Sequence, residues 1–244
     1  MLTLLKSVGV VGWFTGGGHG FLSSTYGMGA DNLLEATVVT PRGDIVVTNQ
    51  CQYPDLFYAI RGGGGGTYGV VMQATVKAFR TPKTTFGILK AALIDPSREE
   101  DWWEFIGYLH TQLAALKDKG GQGYYYIVGP PMSPILAFYI TLNFYDKPDG
   151  TFDEAVKPIV DYFRANPSIF YFNISVETSP TFFGWYNATV SPEAVANGNN
   201  AMGSRLLSRQ ALSKNQSELA TAFKSIGPKL GGNVRPIIIL KTKL

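Results

Sequence analysis

A chain of 244 residues with 45% hydrophobic and 16% charged side chains can bury a sizeable core, as one large domain or two small ones, and global disorder is excluded. Its net charge of +3 comes from 21 basic and 18 acidic residues scattered without a run of five like charges, so nucleic-acid binding has no electrostatic footprint. One cysteine, Cys51, excludes an intrachain disulfide, the distant His19 and His110 do not make a zinc site, and no apolar stretch is long enough for a membrane span.

Met1–Val11 carries one lysine but runs into a glycine motif instead of a small-residue cleavage site, and is not read as a signal peptide. Glu35–Thr40 and Asp44–Asn49 are β-branched runs around Pro41-Arg42-Gly43, which predicts a hairpin. Asp55–Ile60 reads as one or two helical turns, and Val70–Phe79, after a five-glycine run, as a strand. From Phe86 the texture changes, which puts a domain boundary near Thr81–Thr85 and divides the chain into 1–82 and 83–244. Strands are expected at Gly87–Leu93, Gly123–Val128, Ile135–Phe144, Ile169–Val176 and Val234–Leu240, and helices at Arg98–Lys117, Thr151–Ala165 and Arg209–Ile226. Asp153 suits the positive end of the second helix. Strands separated by helices of this length suggest a sheet with helices on one face.

Two segments concentrate glycine: Trp13-Phe14-Thr15-Gly16-Gly17-Gly18-His19-Gly20, and Arg61 through Gly62–Gly66 to Thr67-Tyr68-Gly69-Val70-Val71. Glycine admits positive φ and close approach of a ligand, and successive N–H groups in such turns form an anion-binding nest suited to a pyrophosphate. The plainer reading of one cluster is a flexible surface turn; two clusters weaken it. Gly64, Gly66 and Gly69 match Gly-x-Gly-x-x-Gly, but that motif must open a helix and here a strand follows. No Gly-Lys-Ser/Thr ending is present, which removes a Walker P-loop.

The order and spacing of Gly9-Val10-Val11-Gly12-Trp13-Phe14-Thr15-Gly16-Gly17-Gly18-His19-Gly20, Leu22-Ser23-Ser24, Tyr26-Gly27-Met28-Gly29-Ala30-Asp31-Asn32 and Leu34-Glu35, then Asp55-Leu56-Phe57-Tyr58-Ala59-Ile60-Arg61 and Tyr68-Gly69-Val70-Val71, resemble fungal berberine-bridge-like oxidases of the vanillyl-alcohol-oxidase (VAO) type. A weaker similarity runs on through Gly203-Ser204-Arg205-Leu206 to about Arg209. The resemblance implies an α+β fold: part of a PCMH-type FAD-binding domain, then a substrate domain with an antiparallel sheet backed by helices. It implies FAD as cofactor and a small molecule as substrate. Thr15, Gly16, Gly17 and Gly18 would lie along the pyrophosphate and ring, with Gly12 just before them. Asp31 and Asn32 would support the loop, Val39 would lie near the adenine, and Gly69, Val70 and Val71 would offer backbone groups to the cofactor.

The Arg-x-Gly-Gly-His segment that attaches flavin in the family has no counterpart here, Leu5 stands where many relatives carry a second linking cysteine, and Cys51 does not replace it. Covalent attachment is therefore not expected, and with the family's C-terminal flavin contacts also without counterpart no catalytic residue is assigned. The implied activity is oxidation of a small alcohol, sugar or secondary metabolite, with hydride passing to the flavin and oxygen reoxidising it. The alternative is a truncated non-catalytic remnant or a small-molecule binding module derived from such an oxidase.

His19 reads as loop packing, and His110, Trp102 and Trp103 as helix packing. Tyr124, Tyr125, Tyr126, Phe138, Tyr139 and Tyr145 would divide between core and flavin pocket by strand alternation, with Glu177 and Arg205 as further polar candidates. Asn-x-Ser/Thr triplets at Asn173, Asn187 and Asn215 are compatible with a secretory route, which the family suggests, but no localisation is assigned. Oligomeric state is not legible.

Overall fold

Residues 8–190, 206–213 and 215–229, with the backbone of 238–241, are described by the structure, a computed structural model. The chain divides into two units, Met1–Thr81 with Tyr186–Asn200, and Pro82–Trp185 with Ala201–Leu244.

In the first unit, helix α1 (Val10–Thr15) and the single turn α2 (Ser23–Tyr26) lead through a 3-10 turn at Ala30–Asn32 into β1 (Leu33–Val39). β2 (Ile45–Asn49), α3 (Pro54–Ile60) and β3 (Val70–Val76) follow, and the antiparallel sheet runs β2-β1-β3. The expected hairpin is present: Val39 pairs with Ile45, Thr40 donates its N–H to the Asp44 carbonyl at 2.9 Å, and Gly43 makes the turn at φ 88°. The expected helix at Asp55–Ile60 begins one residue earlier because Pro54 fits the first helical turn, where no N–H is needed.

Alternation in β1 turns Ala36 and Val38 onto a small core with Phe14, Phe57 and Ile60, and a register irregularity between Leu33 and Glu35 brings Leu33 to the same core. No helix is expected over Val10–Thr15 from the sequence, and the structure forms one. Phe14, fully buried, anchors the turn, and Thr15 donates its hydroxyl back to the Val11 carbonyl at 2.9 Å.

The second unit is built on a five-stranded antiparallel sheet of order β7-β4-β6-β5-β8, from β4 (Thr84–Leu93), β5 (Gln122–Val128), β6 (Ala137–Tyr145), β7 (Phe170–Ser179) and β8 (Ile238–Lys241). Of the strand expected at Val234–Leu240, residues 234–237 lie outside the described residues. α4 (Glu99–Asp118) and α5 (Thr151–Ala165) match the expected helices to within a residue. α6 (Phe182–Thr189), not anticipated, follows β7.

The helix expected over Arg209–Ile226 is instead two, α7 (Arg209–Leu212) and α8 (Gln216–Ile226). The Asn215 side chain accepts the Ser217 N–H at 2.9 Å and so starts a new helix, a competition with the backbone that Asn makes easily.

α4 places Trp102, Phe105, Ile106, Leu109, Leu113 and Leu116 at three- and four-residue spacing, all against the sheet residues Leu89, Ala91, Tyr125, Ile127, Phe138, Ile140, Leu142 and Phe144. α5 adds Phe152, Ile159 and Phe163, and α8 adds Leu219 and Phe223 to the same layer. Each fully buried large apolar side chain contributes about 2 kcal/mol from removal of its surface from water. Gly107 in mid-α4 is where α8 crosses, since a Cβ there would collide with the Gln216 carbonyl.

Candidate functional site

The first unit brings the two glycine turns together. Gly64 donates its N–H to the Thr15 carbonyl at 2.9 Å, and a Cβ on Gly62 would sit 3.8 Å from Gly17 Cα. Beside this tie lies a depression of about 220 Å³ lined by Val11, Thr15, Ile60, Gly64, Gly65, Gly66, Tyr68, Gly69, Val70 and Val71. Gly64, Gly66 and Gly69 take φ values of 102°, 72° and 150°, which a side chain rarely permits. The N–H groups of Gly65 and Gly66 make no hydrogen bond among the described residues. Among the described residues no charged side chain lines the depression, and backbone amides are its main polar donors.

Of the residues expected at the site, Thr15, Gly69, Val70 and Val71 line this cradle. The others stand behind it. Gly12 lies in α1 and its carbonyl accepts the N–H of Gly16, the cap of that helix, at 3.2 Å. Gly17 and Gly18, at φ 102° and 76°, carry the chain back, their carbonyls accepting the N–H groups of Ala30 at 3.1 Å and Gly29 at 2.7 Å. A Cβ on Gly18 would fall 2.8 Å from Gly29 Cα, so this glycine serves close backbone packing.

Asp31 accepts the Met28 N–H at 2.8 Å, and Asn32, buried, donates its amide to the Tyr26 and Met28 carbonyls, each at 2.9 Å. Arg61 donates Nε–H to the Ala30 carbonyl at 2.8 Å and lies over the Phe57 ring, pinning α3 to this loop. Val39 pairs with Val70 in the sheet, and its carbonyl is 2.6 Å from where a Gly69 Cβ would be.

Sequence reasoning did not name Val11, Ile60 or Tyr68 as site residues, and singled out Gly64, Gly65 and Gly66 only as part of the second glycine turn. The five-glycine run was the available signal for those three glycines. His19 contributes its carbonyl to the Trp13 indole N–H at 2.8 Å. Cys51 is exposed, and among the described residues no group of three His, Cys, Asp or Glu is placed to hold a metal. No helix of the described residues is long and apolar enough to cross a membrane.

In the second unit, alternation puts Tyr125 and Phe138 among the helices and Tyr124, Tyr126, Tyr139, Thr141, Asn143 and Tyr145 on the opposite face. Tyr126 and Tyr139 stack there with ring centres 4.5 Å apart. Glu177 is exposed on β7 in register with Phe86; Arg205 lies outside the described residues. His110 is buried in the helical layer, its Nδ1–H reaching the Ile106 carbonyl at 2.6 Å and its Nε2 accepting the Tyr125 hydroxyl at 2.5 Å. Burial pulls its pKa down to about 4 against a weaker opposing effect of the Ile106 carbonyl, so the ring is neutral near pH 7.

A family described as FAD binding domain matches residues 2–49. Among curated proteins, an uncharacterized FAD-linked oxidoreductase of Arthroderma benhamiae is 33% identical over 247 residues, covering 95% of this chain and 41% of its own length. The FAD-linked oxidoreductase patO of Penicillium expansum is 34% identical over 223 residues, covering 90% of this chain and 38% of its own. The VAO-type flavoprotein MtVAO713 of Myceliophthora thermophila superposes with a TM-score of 0.77 at 27% identity, over 94% of this chain and 41% of that one.

In sequence and in fold the chain matches part of the VAO-type FAD-linked oxidoreductases.

It spans about two-fifths of the length of the curated relatives it matches. The α+β fold expected from the resemblance holds for this chain, including the antiparallel sheet backed by helices. The residues present in the cradle suit the phosphate portion of the family's cofactor: successive amides that make no hydrogen bond among the described residues, and glycines that leave open the space a Cβ would take. At about 220 Å³ it is smaller than the roughly 300 Å³ of a small-molecule pocket, which suits part of a dinucleotide and not the whole.

Proposed function

We propose that this chain is the FAD-holding and substrate-facing portion of an oxidoreductase, and that the Gly64–Gly66 cradle receives the cofactor's diphosphate. The observation that carries this reading is the hydrogen bond from Gly64 N–H to the Thr15 carbonyl, which joins both glycine turns around the uncommitted amides of Gly65 and Gly66. Backbone N–H groups suit an anion here because they add no bulk and are held in place by turns that only glycine adopts.

Thr15, Gly69, Val70 and Val71 form the walls. Gly12, Gly16, Gly17, Gly18, Asp31, Asn32 and Val39 set the path of the loops that carry them. The flavin, when bound, supplies hydride acceptance from a substrate C–H bond. A small alcohol, sugar or secondary metabolite as donor and oxygen as final acceptor complete the reading.

Titration of the purified chain with FAD, followed by flavin fluorescence and visible absorbance, tests the proposal. Saturable quenching and a yellow protein after gel filtration are expected. A colourless protein that leaves flavin fluorescence unchanged overturns it, and favours the small-molecule binding module or non-catalytic remnant.

A further inference from the structure

Asn143 lies near the end of β6, the middle strand of the five-stranded sheet, on the face opposite α4, α5 and α8. It is 0% exposed, and among the described residues neither Oδ1 nor Nδ2 has a hydrogen-bond partner. Leaving a buried amide unmet is destabilising, and a leucine of similar size would avoid that cost. Strand register sets it between Phe86 on β4 and Gln122 on β5, with Tyr145 two residues along and Tyr124 diagonal to it. Phe86, Gln122, Tyr124 and Tyr145 are all buried. The Phe86 ring meets Trp185 at 4.7 Å and the Tyr145 ring meets Phe182 at 5.7 Å, so aromatic rings close this part of the face.

An amide offers a donor and an acceptor side by side. A hydroxyl, which donates and accepts from a single oxygen, is the smallest ligand group that answers both. The nearest neighbours of Asn143 in the sheet are aromatic or uncharged. Among the described side chains, the charged residues on this face are farther away: Glu177 is two strands over, roughly 10 Å at normal strand spacing, and Lys90 is four residues along β4 from Phe86, roughly 13 Å. A charged ligand head would therefore be desolvated here without a counter-ion in contact.

We propose that Asn143 anchors a substrate subsite on this face, holding the hydroxyl of an uncharged, ring-bearing alcohol, with the Trp185 ring as its displaceable wall. This rests on the oxidoreductase reading above and names the substrate class for it.

The test uses the whole chain and three probes of one skeleton: benzyl alcohol, benzylamine and benzoate. In amide-detected NMR, with the Asn143 side-chain signal assigned by its loss in Asn143→Leu, benzyl alcohol shifts that signal while the two charged probes do not. Asn143→Leu melts no lower than the parent and binds benzyl alcohol at least about tenfold more weakly, which corresponds to 1.4 kcal/mol.

An Asn143 signal unmoved by benzyl alcohol, or moved equally by all three probes, overturns the proposal. So does an Asn143→Leu chain that fails to fold or melts several degrees lower, since the amide then serves the fold through an ordered water or protein partner. The parent's signal can be assigned sequentially without the variant, so the probe measurement stands by itself. FAD titration of parent and variant separates the two readings: equal flavin affinity with lost alcohol binding isolates Asn143, whereas failure of the parent to take FAD counts against the oxidoreductase reading and leaves the probe result to judge the subsite.

Discussion

The Thr15 carbonyl and the Gly64 N–H meet at 2.9 Å, so the end of a short helix and a turn far along the chain share one wall of the same depression. Gly65, next in line, takes no positive φ, and a methyl there would sit 3.4 Å from Thr15 Oγ1, a contact the fold absorbs. Gly65→Ala is therefore expected to change stability by less than about 0.5 kcal/mol while occupying the cradle. FAD affinity should fall at least about tenfold in the fluorescence titration. An unchanged affinity would place the diphosphate elsewhere.

Gly69→Ala is the contrasting variant. Gly69 sits at φ 150°, and a methyl would lie 2.6 Å from the Val39 carbonyl, inside the β1–β3 pair. Strain of this kind costs about 3 kcal/mol, and urea unfolding should report a loss of that size together with weakened FAD binding. A loss below about 1 kcal/mol would mean that the strands separate at Gly69 without cost, contrary to the observed pairing.

Asn32 carries the loop behind the cradle through two hydrogen bonds from one buried amide to the Tyr26 and Met28 carbonyls. Asn32→Leu strands both carbonyls and should cost about 3 kcal/mol. Asn32→Asp should cost more at pH 7, because an ionised carboxylate would face two carbonyl oxygens with no proton to share. Thermal melts of the two variants check the ranking, and the reverse order would show that the amide is not the tie.

Much of the fold was legible because periodicity is a direct record of which face is buried. The Val39–Ile45 hairpin carried β-branched runs around a Pro-Arg-Gly turn, and α4 and α5 carried apolar residues at helical spacing. The misses have separate causes. Val10–Thr15 is helical within a stretch whose glycines read as loop, and what holds it is the burial of Phe14, a tertiary effect. α8 starts anew at Asn215 although the apolar spacing continues, because a capping side chain outweighs periodicity locally.

The site was half legible for a related reason. Glycine is selected equally for positive φ, for close backbone packing and for ligand approach, and the letter is the same in all three cases. Gly18 against Gly29 is packing, Gly65 is open wall, and Gly69 is strand crowding; only coordinates separate them. Asn143 gave no sequence signal at all, since one polar residue in a strand reads as solvent-facing until its neighbours are known.

His110 and Tyr125 make a pH dependence that the rest of the chain does not explain. The folded-state pKa of His110 is lowered from 6.5 to about 4, chiefly by burial, with both ring nitrogens engaged as in the neutral form. The unfolded chain thus takes up a proton near pH 6.5 that the folded chain refuses until about pH 4. Between these values the unfolded state binds more protons, so stability is fully present above pH 6.5, declines as pH falls, and levels off below about 4. With each pKa unit worth about 1.4 kcal/mol, the loss is on the order of 3 kcal/mol.

The control for this is His110→Leu with Tyr125→Phe, which removes both polar partners and leaves neither stranded. Urea unfolding of parent and double variant from pH 7 to pH 4 should show the parent losing on the order of 3 kcal/mol more, with shared carboxylate effects cancelling in the difference. The single variant His110→Leu strands the Tyr125 hydroxyl and should be less stable than the double variant by about 1 kcal/mol at pH 7. Parallel pH profiles for parent and double variant would show that His110 protonates in the folded chain at its ordinary pKa and that the buried, neutral ring is not the solution state.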